Sequence, residues 1–370
     1  MSNRLNIGIV GAGGFAAFAS KAFLQIPGIR IAAIMDSNEA AAEILAKEVK
    51  ASVYLDLSLL LADKEIDLVY IATPPFLHYQ QSKMALQAGK HVICEKPAAL
   101  KTSEAEALQA LAKEMDLLYV VNLMQRYNPL YDIVKKIVEQ KLLGEFLHGF
   151  FENYASDENL QADHWFWEED KSGGIFIEHG VHFFDMFSGW LGQGKLLNAV
   201  QLQRPHSTHK IMDRVQATVL YDKGLVNFYH GFDQPIVLDR QEMRLQFERG
   251  EITLYGWVPV KMVLHGLFTN DALMAVSNLM DKCSVIITDE GSEEIKKVKG
   301  RFTEIVFDKE ATIEYGNLNN KSKRYAEILT AMLTDQWAWI KDRSHKRVID
   351  DNNAVESLRI AEQAANTKAY

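Results

Sequence analysis

The stretch LNIGIVGAGGFAAFASKAF, residues 5–23, decides the fold. It reads as a buried strand running into glycines, followed by a segment with helical spacing. Gly11, Gly13 and Gly14, with Ala16 behind them, spell G-x-G-x-x-A. Gly11 permits a tight turn, Gly13 lets backbone N–H groups approach a pyrophosphate, and Ala16 is small enough for the helix to pack closely on the strand. The helix N-terminus adds a partial positive charge suited to phosphate. Glycine-rich turns are common, and a plain strand-to-helix loop reads the same way.

Context separates the two readings. A second apolar strand, IRIAAIM, ends at Asp36, twenty residues beyond Ala16. A carboxylate there meets the ribose 2′-hydroxyl of an adenine dinucleotide. It would repel a 2′-phosphate, and the next residues, Ser37 and Asn38, bring no cation to offset it. NAD is therefore expected over NADP.

Two more strands follow, IDLVYIAT into Pro74 and Pro75, and KHVICEKP. Between them HYQQSKMALQAG reads as a helix closed by Gly89. Alternating strand and helix patterns predict a parallel sheet, which binds ligands beyond the carboxyl ends of its strands. Thr73, Pro74, Glu95 and Lys96 fall at such ends.

Past about residue 123 the pattern changes. QATVLYDKGLVNFYHGF and EMRLQFERGEITLYGW each read as two strands about a tight turn, SVIITDE and FTEIVFD as further strands, and YAEILTAMLTDQWAWIKD as a helix. The expected architecture is α/β, a Rossmann dinucleotide-binding domain over residues 1–123 and an α+β domain over 124–370 with a largely antiparallel open sheet. Two domains also suit 370 residues, more than one core usually supports.

Composition narrows the function. An apolar fraction of 48% and a charged fraction of 24% are those of an ordinary globular protein. The net charge of -9 repels a phosphate backbone and disfavours nucleic acid. Two cysteines, no basic leader with an apolar core, and no long uncharged apolar run predict reduced thiols, no membrane span and a cytoplasmic protein.

The chemistry concentrates in GGIFIEHGVHFFDM, residues 173–186, where Glu178, His179, His182 and Asp185 crowd together. On a helix His179, His182 and Asp185 would project close to one another, so a metal site is one reading. There is no H-E-x-x-H and no cysteine pair, and a redox-neutral metal leaves the dinucleotide site unexplained, so no metal is expected. The other reading is proton transfer, with His182 exchanging the hydroxyl proton and Glu178, one helical turn earlier, orienting the imidazole or a substrate hydroxyl. Lys96 would polarise the forming carbonyl oxygen. His179 is read as a packed or capping histidine, Asp185 as a cap or local pair, and Trp165 and Trp167 as either core anchors or a wall for the apolar face of a sugar ring.

Taken together, GIVGAGGFA, IMDSN, IATPPFLHYQQSKMALQAGKHVICEKPAAL, NLMQRYNP, SGGIFIEHGVHFFD and the final NNAVESLRIAEQAAN resemble the glucose–fructose oxidoreductase, inositol dehydrogenase and rhizopine-catabolism family, written Gfo/Idh/MocA. The resemblance is good over the first two hundred residues, loose afterwards and weakest over 257–300. It implies that Lys96 lies beside the nicotinamide and the reacting hydroxyl, and that His182 is the general acid/base. The family's aspartate falls at Glu178, one methylene longer. Cofactor contacts are expected from Gly11, Gly13, Gly14, Phe15, Asp36, Ser37, Thr73, Pro74, His78, Glu95, Lys96 and Arg126. Substrate contacts are expected from Lys96, Trp165, Trp167, Glu178 and His182. The implied activity is hydride transfer between nicotinamide and a hydroxyl or carbonyl of a sugar, polyol or related cyclic compound. A glycosidase with transient redox at NAD, or a catalytically silent dinucleotide-sensing regulator, are the alternatives. The family also implies a homodimer or homotetramer joined through the second sheet, with the last helix, about 351–368, packing back on the first domain.

Overall fold

A computed structural model describes residues 4–157, 160–207, 210–288, 296–299 and 304–367. The last two residues of SVIITDE and the first two of FTEIVFD fall outside these ranges. The first sheet has six parallel strands: β1 (Leu5–Val10), β2 (Ile29–Met35), β3 (Ser52–Tyr54), β4 (Leu68–Ile71), β5 (His91–Cys94) and β6 (Tyr119–Val121). They lie in the order β3-β2-β1-β4-β5-β6. In β1 every residue but Asn6 is buried, as a strand covered by helices on both faces requires. Those helices are α1 (Gly14–Phe23), α2 (Glu39–Val49), α3 (Leu57–Ala62), α4 (Pro75–Gln87) and α5 (Thr102–Glu114). Strand order reverses between β1 and β4, which opens a crevice at their carboxyl ends.

The second sheet follows α6 (Pro129–Glu139). Its strands are β7 (Phe146–Tyr154), β8 (Gly194–Gln203), β9 (Met212–Tyr221), β10 (Gly224–Gly231), β11 (Arg240–Phe247), β12 (Gly250–Tyr255), β13 (Lys261–Phe268), β14 (Ser284–Ile287) and β17 (Lys309–Gly316). β15 (Lys296–Lys299) and β16 (Glu304–Phe307) form a separate ribbon. The order β14-β17-β13-β12-β11-β7-β10-β9-β8 is antiparallel except where β10 runs parallel to β7. That pair is parallel because the chain leaves β7 on a long excursion before returning beside it. The excursion carries α7 (Glu169–Ser172) and α8 (Val181–Leu191), and with them the chemical segment.

Aromatic packing fixes α8 on this sheet. Phe183 stacks on Phe151 of β7 with ring centroids 3.6 Å apart, and Phe184 and Phe187 meet Phe228 of β10 at 4.8 and 5.2 Å. Each such pair contributes about 0.5–1.5 kcal/mol beyond the area it buries. Of the remaining helices, α9 (Asn270–Asn278) lies against β13, and α10 (Lys321–Lys341) packs on α1. α11 (Asp351–Ala365) bridges the two halves, touching α5 and β6 on one side and α8 and β8 on the other. Glu362 accepts from the Thr102 amide at 2.8 Å, and Asn353 donates to Asp185 at 2.9 Å.

Candidate active site

The carboxyl ends of β1, β2, β4 and β5 open into one cavity of about 1040 Å³, closed on its far side by the second sheet and α8. Gly11 has φ +99°, and a Cβ there would lie 2.7 Å from the Ala72 carbonyl oxygen, so only glycine suits the turn. Gly13 and Gly14 have nothing within 4 Å of an added Cβ. The first turn of α1 also carries no side-chain cap. Empty space beside uncapped N–H groups fits a pyrophosphate. Asp36 accepts from the Ala12 and Asn38 amides at 2.7 and 2.8 Å, which holds its carboxylate against the wall. Phe15, Ser37, Thr73 and Pro74 line the same end.

His78 does not. It is 1% exposed, and its ring nitrogens lie 2.7 Å from the carbonyl oxygens of Thr73 and Pro97. Instead of touching the cavity it ties the loop after β4 to the loop after β5, and so positions Thr73 and Lys96.

At the middle of the cavity Lys96 forms an ion pair with the Glu178 carboxylate and donates to the Glu178 carbonyl oxygen at 2.7 Å. Glu95, beside it, is buried and held by the Tyr70 hydroxyl and by Asn122 Nδ2 at 2.8 Å. Burial raises its pKa above the usual carboxylate value, against those hydrogen bonds and Lys96. Glu178 lies not on a regular α-helix but on a π-helical turn, Phe176–Gly180, that runs into α8. Glu178 and His179 on this turn and His182 on α8 all line the cavity.

His179 packs among rings and also reaches the cavity. Its Nδ1 lies 3.0 Å from His230 Nδ1. Burial, with Lys96 nearby, pushes its pKa down to about 3. His182 is 4% exposed, and its Nδ1 has no hydrogen-bond partner. Burial first, then Lys96 and His179, hold it well below the ordinary histidine value.

Three expectations divide. Trp165 lines the cavity, whereas Trp167 is 7% exposed and packs edge-on against Phe166 beneath the Arg204 guanidinium. Trp167 is a core anchor, and Phe166 takes the expected place in the wall. Arg126 touches neither cofactor end nor substrate end. Its guanidinium grips Asp185 through two 2.8 Å bonds and donates to the Tyr131 hydroxyl at 2.8 Å. Removing either partner of such a buried pair typically costs about 3–5 kcal/mol.

The wall also contains residues that carry no motif. Trp257, Lys321 and Tyr325 enter from the region of weakest resemblance and beyond, Tyr325 packing 5.8 Å from Phe15 and 5.4 Å from Trp257. The far end has Asn153, Asp239 and Gln241 among the aromatic rings of Trp165, Phe166 and Phe232. Asn153 did carry a signal, a polar residue at an inward, 2% exposed position of β7. Among the described residues no three His, Cys, Asp or Glu side chains gather as a metal site, and no helix is long and apolar enough to cross a membrane.

Comparison with known proteins finds two family models along the chain. A family model described as the oxidoreductase family, NAD-binding Rossmann fold, matches residues 5–123, and that of the Gfo/Idh/MocA C-terminal domain matches 131–253. An oxidoreductase of Bacillus subtilis is 30% identical over 258 residues, 69% of this chain and 67% of its own. A levoglucosan dehydrogenase of Pseudarthrobacter phenanthrenivorans is 27% identical over 208 residues, so the chain spans 53% of the length of that relative and matches over 53% of its own. Among solved structures, a levoglucosan dehydrogenase in complex with NADH and L-sorbose has a TM-score of 0.76 at 17% identity, covering 98% of this chain and 95% of that one. A 3-ketoreductase from Actinomadura kijaniata in complex with NADP has a TM-score of 0.71 at 17% identity, covering 99% and 98%. Likeness at that identity speaks for the fold.

Proposed function

The chain belongs to the Gfo/Idh/MocA family of oxidoreductases, and from that membership we propose that it is a cytoplasmic, NAD-dependent dehydrogenase acting on a hydroxyl of a sugar, polyol or related cyclic compound. The observation that carries the reading is the meeting of Lys96, Glu178 and His182 midway along one cavity. To one side lies the glycine cradle with Asp36, and to the other a wall of rings and polar groups that includes Asp239. Residues 1–123 hold the dinucleotide, and residues 124–370 supply the substrate wall and the subunit contacts.

The dinucleotide, when bound, takes up or gives back the hydride. The chain's own residues manage the proton and the oxygen. Lys96 directs its positive charge at the oxygen that becomes a carbonyl, while Glu178 anchors the ammonium group and meets a neighbouring substrate hydroxyl. His182 exchanges the hydroxyl proton. Trp165, Phe166 and Phe232 exclude water and offer flat apolar surface to a ring. The test is a panel of sugars and polyols with NAD and with NADP, followed by absorbance of the reduced cofactor. Net reduction is expected. Glycosidic cleavage without it, or binding with neither, would replace this reading by the hydrolase or the regulator.

Cofactor preference follows from Asp36. NAD should bind at least tenfold more tightly than NADP, a difference of ~1.4 kcal/mol. Asp36→Asn keeps the shape, removes the repulsion of a 2′-phosphate and should narrow the gap. Equal dissociation constants in the unaltered protein, measured by calorimetry, would rule the preference out.

Self-association is expected through the outward face of the second sheet, where Phe150, Leu202 and Leu220 stand exposed. Light scattering at micromolar concentration should return a dimer or tetramer. A monomer would remove this surface from the proposal.

A further inference from the structure

Behind the cavity wall, His179 Nδ1 and His230 Nδ1 lie 3.0 Å apart. Two neutral imidazoles at that distance share a single hydrogen, so one ring donates and the other accepts. Burial lowers the pKa of both, so both are neutral across the physiological range.

Which ring donates follows from what the remaining nitrogens meet. His230, on β10, is 0% exposed, and its Nε2 has no partner. It is enclosed by Phe151, Phe183 and Phe176, with ring centroids 5.0, 5.8 and 6.4 Å away. If His230 accepted through Nδ1, its only hydrogen would sit on Nε2, sealed among hydrocarbon. If it donates from Nδ1, Nε2 is left as a bare lone pair. Orphaned buried N–H groups are rarer in folded proteins than under-satisfied acceptors. The donor is therefore His230.

His179 Nδ1 then accepts, and its hydrogen must reside on Nε2, the nitrogen left for the cavity. Phe183 at 5.2 Å and Phe232, edge-on at 5.3 Å, hold the ring in this orientation. We infer that His230 is a positioning residue that locks His179 as an uncharged hydrogen-bond donor, selecting substrates with an acceptor oxygen close to the carbon that reacts at Lys96 and His182. This deepens the dehydrogenase reading and rests on it. A polyhydroxylated ring supplies such an oxygen at every carbon beside the reacting one. An analogue lacking it leaves the Nε2 hydrogen unpaired in the closed site and is rejected.

Two measurements test the assignment. Side-chain ¹H–¹⁵N correlation spectra of the full chain, labelled at histidine and assigned through His179→Gln, are expected to show both rings neutral at pH 7. The hydrogen should sit on Nε2 of His179 and on Nδ1 of His230. The reverse tautomers, or a charged ring, would overturn the inference. Kinetics then read the consequence, with D-glucose, myo-inositol and levoglucosan as probes. His179→Leu should raise KM about tenfold, the loss of one uncharged hydrogen bond, while kcat changes less than about threefold. His179→Gln, whose amide nitrogen sits near the imidazole Nε2, should bring KM back to within about threefold of the wild type. A KM in His179→Leu equal to that of the wild type, or one that Gln does not rescue, would sink the donor role. Failure of the wild type to oxidise any probe would count against the dehydrogenase reading, and the spectra would still decide the tautomers.

Discussion

His182→Ala is expected to lower kcat by roughly 10²–10⁴-fold, the range for removing a general acid or base, while the dissociation constant of NAD moves less than about threefold. The two effects separate because His182 starts α8, on the second-sheet side of the cavity, whereas the glycine cradle and Asp36 sit across it. Lys96→Ala should depress kcat as well, and should weaken cofactor binding, because Lys96 stands at the end of β5 where the nicotinamide is expected. Its loss also leaves the part-buried Glu178 carboxylate without its cation. Glu178→Gln keeps the shape, lets Lys96 hold its bond to the Glu178 carbonyl oxygen, and should give an intermediate loss divided between kcat and KM. If Lys96 and His182 act on the same O–H bond, the double mutant should be scarcely slower than the slower single one.

The pH profile identifies the group. His182 accepts a proton only when uncharged, and its pKa in the free protein is held well below 6.5 by burial, Lys96 and His179. The profile of kcat/KM is therefore expected to be level at neutrality and to fall only on the acid side, well under pH 6.5. That limb should vanish in His182→Ala. A limb that persists there belongs to another residue, and the assignment of the proton fails with it. No partner holds His182 Nδ1, in contrast to His179, so the fold leaves its tautomer free to change as the proton moves.

The parts of this site legible in the sequence were those whose chemistry forces a residue type at a fixed short spacing. G-x-G-x-x-A and Asp36 reflect a turn that tolerates no side chain and a carboxylate at the end of the next strand. Lys96, Glu178 and His182 came from motifs of the resembling family. The remainder depended on geometry with no local marker. A π-helical turn adds one residue to a helix without changing its composition, so His179 could not be told from a packed histidine. Arg126 and Asp185 are 59 positions apart, and a pair closed across that distance is invisible to periodicity. Trp165, Phe166 and Trp167 lie on a 3₁₀ turn, where three consecutive rings point three ways. Alternation would have grouped the two tryptophans, but the turn sends one into the core. Tyr325 reaches the cavity because α10 packs on α1, and Trp257, from the turn between β12 and β13, packs against it there, contacts set by the whole fold.

Acidification from pH 7.5 to 5.0 is expected to destabilise the folded protein through His182 and His230, by at most about 4 kcal/mol for the two. Both are neutral in the fold, with pKa values held well below the ordinary 6.5, burial being the main cause. In the unfolded chain they titrate near 6.5. Below that value the unfolded state binds protons that the folded state cannot, so stability present above pH 6.5 is lost as pH falls toward the folded pKa values. Each pH unit below 6.5 costs at most ~1.4 kcal/mol per histidine, hence at most about 2 kcal/mol each by pH 5.0. His179, with its pKa pushed down to about 3, is also neutral at pH 5.0 and adds a share of its own. Glu95 works in the opposite direction, because its raised pKa gives stability at low pH that is lost as pH rises through its folded value. Its unfolded pKa, near 4.3, lies below this window, so any proton the folded Glu95 holds inside it offsets part of the loss. Denaturant midpoints at the two pH values measure the loss, and His182→Ala should flatten the dependence by one histidine's worth, at most ~2 kcal/mol. A stability level from pH 7.5 to 5.0 would mean that these rings are hydrated in solution. Neither the orphaned Nε2 that makes His230 a donor nor the depressed pKa that moves the acid limb of His182 would then survive.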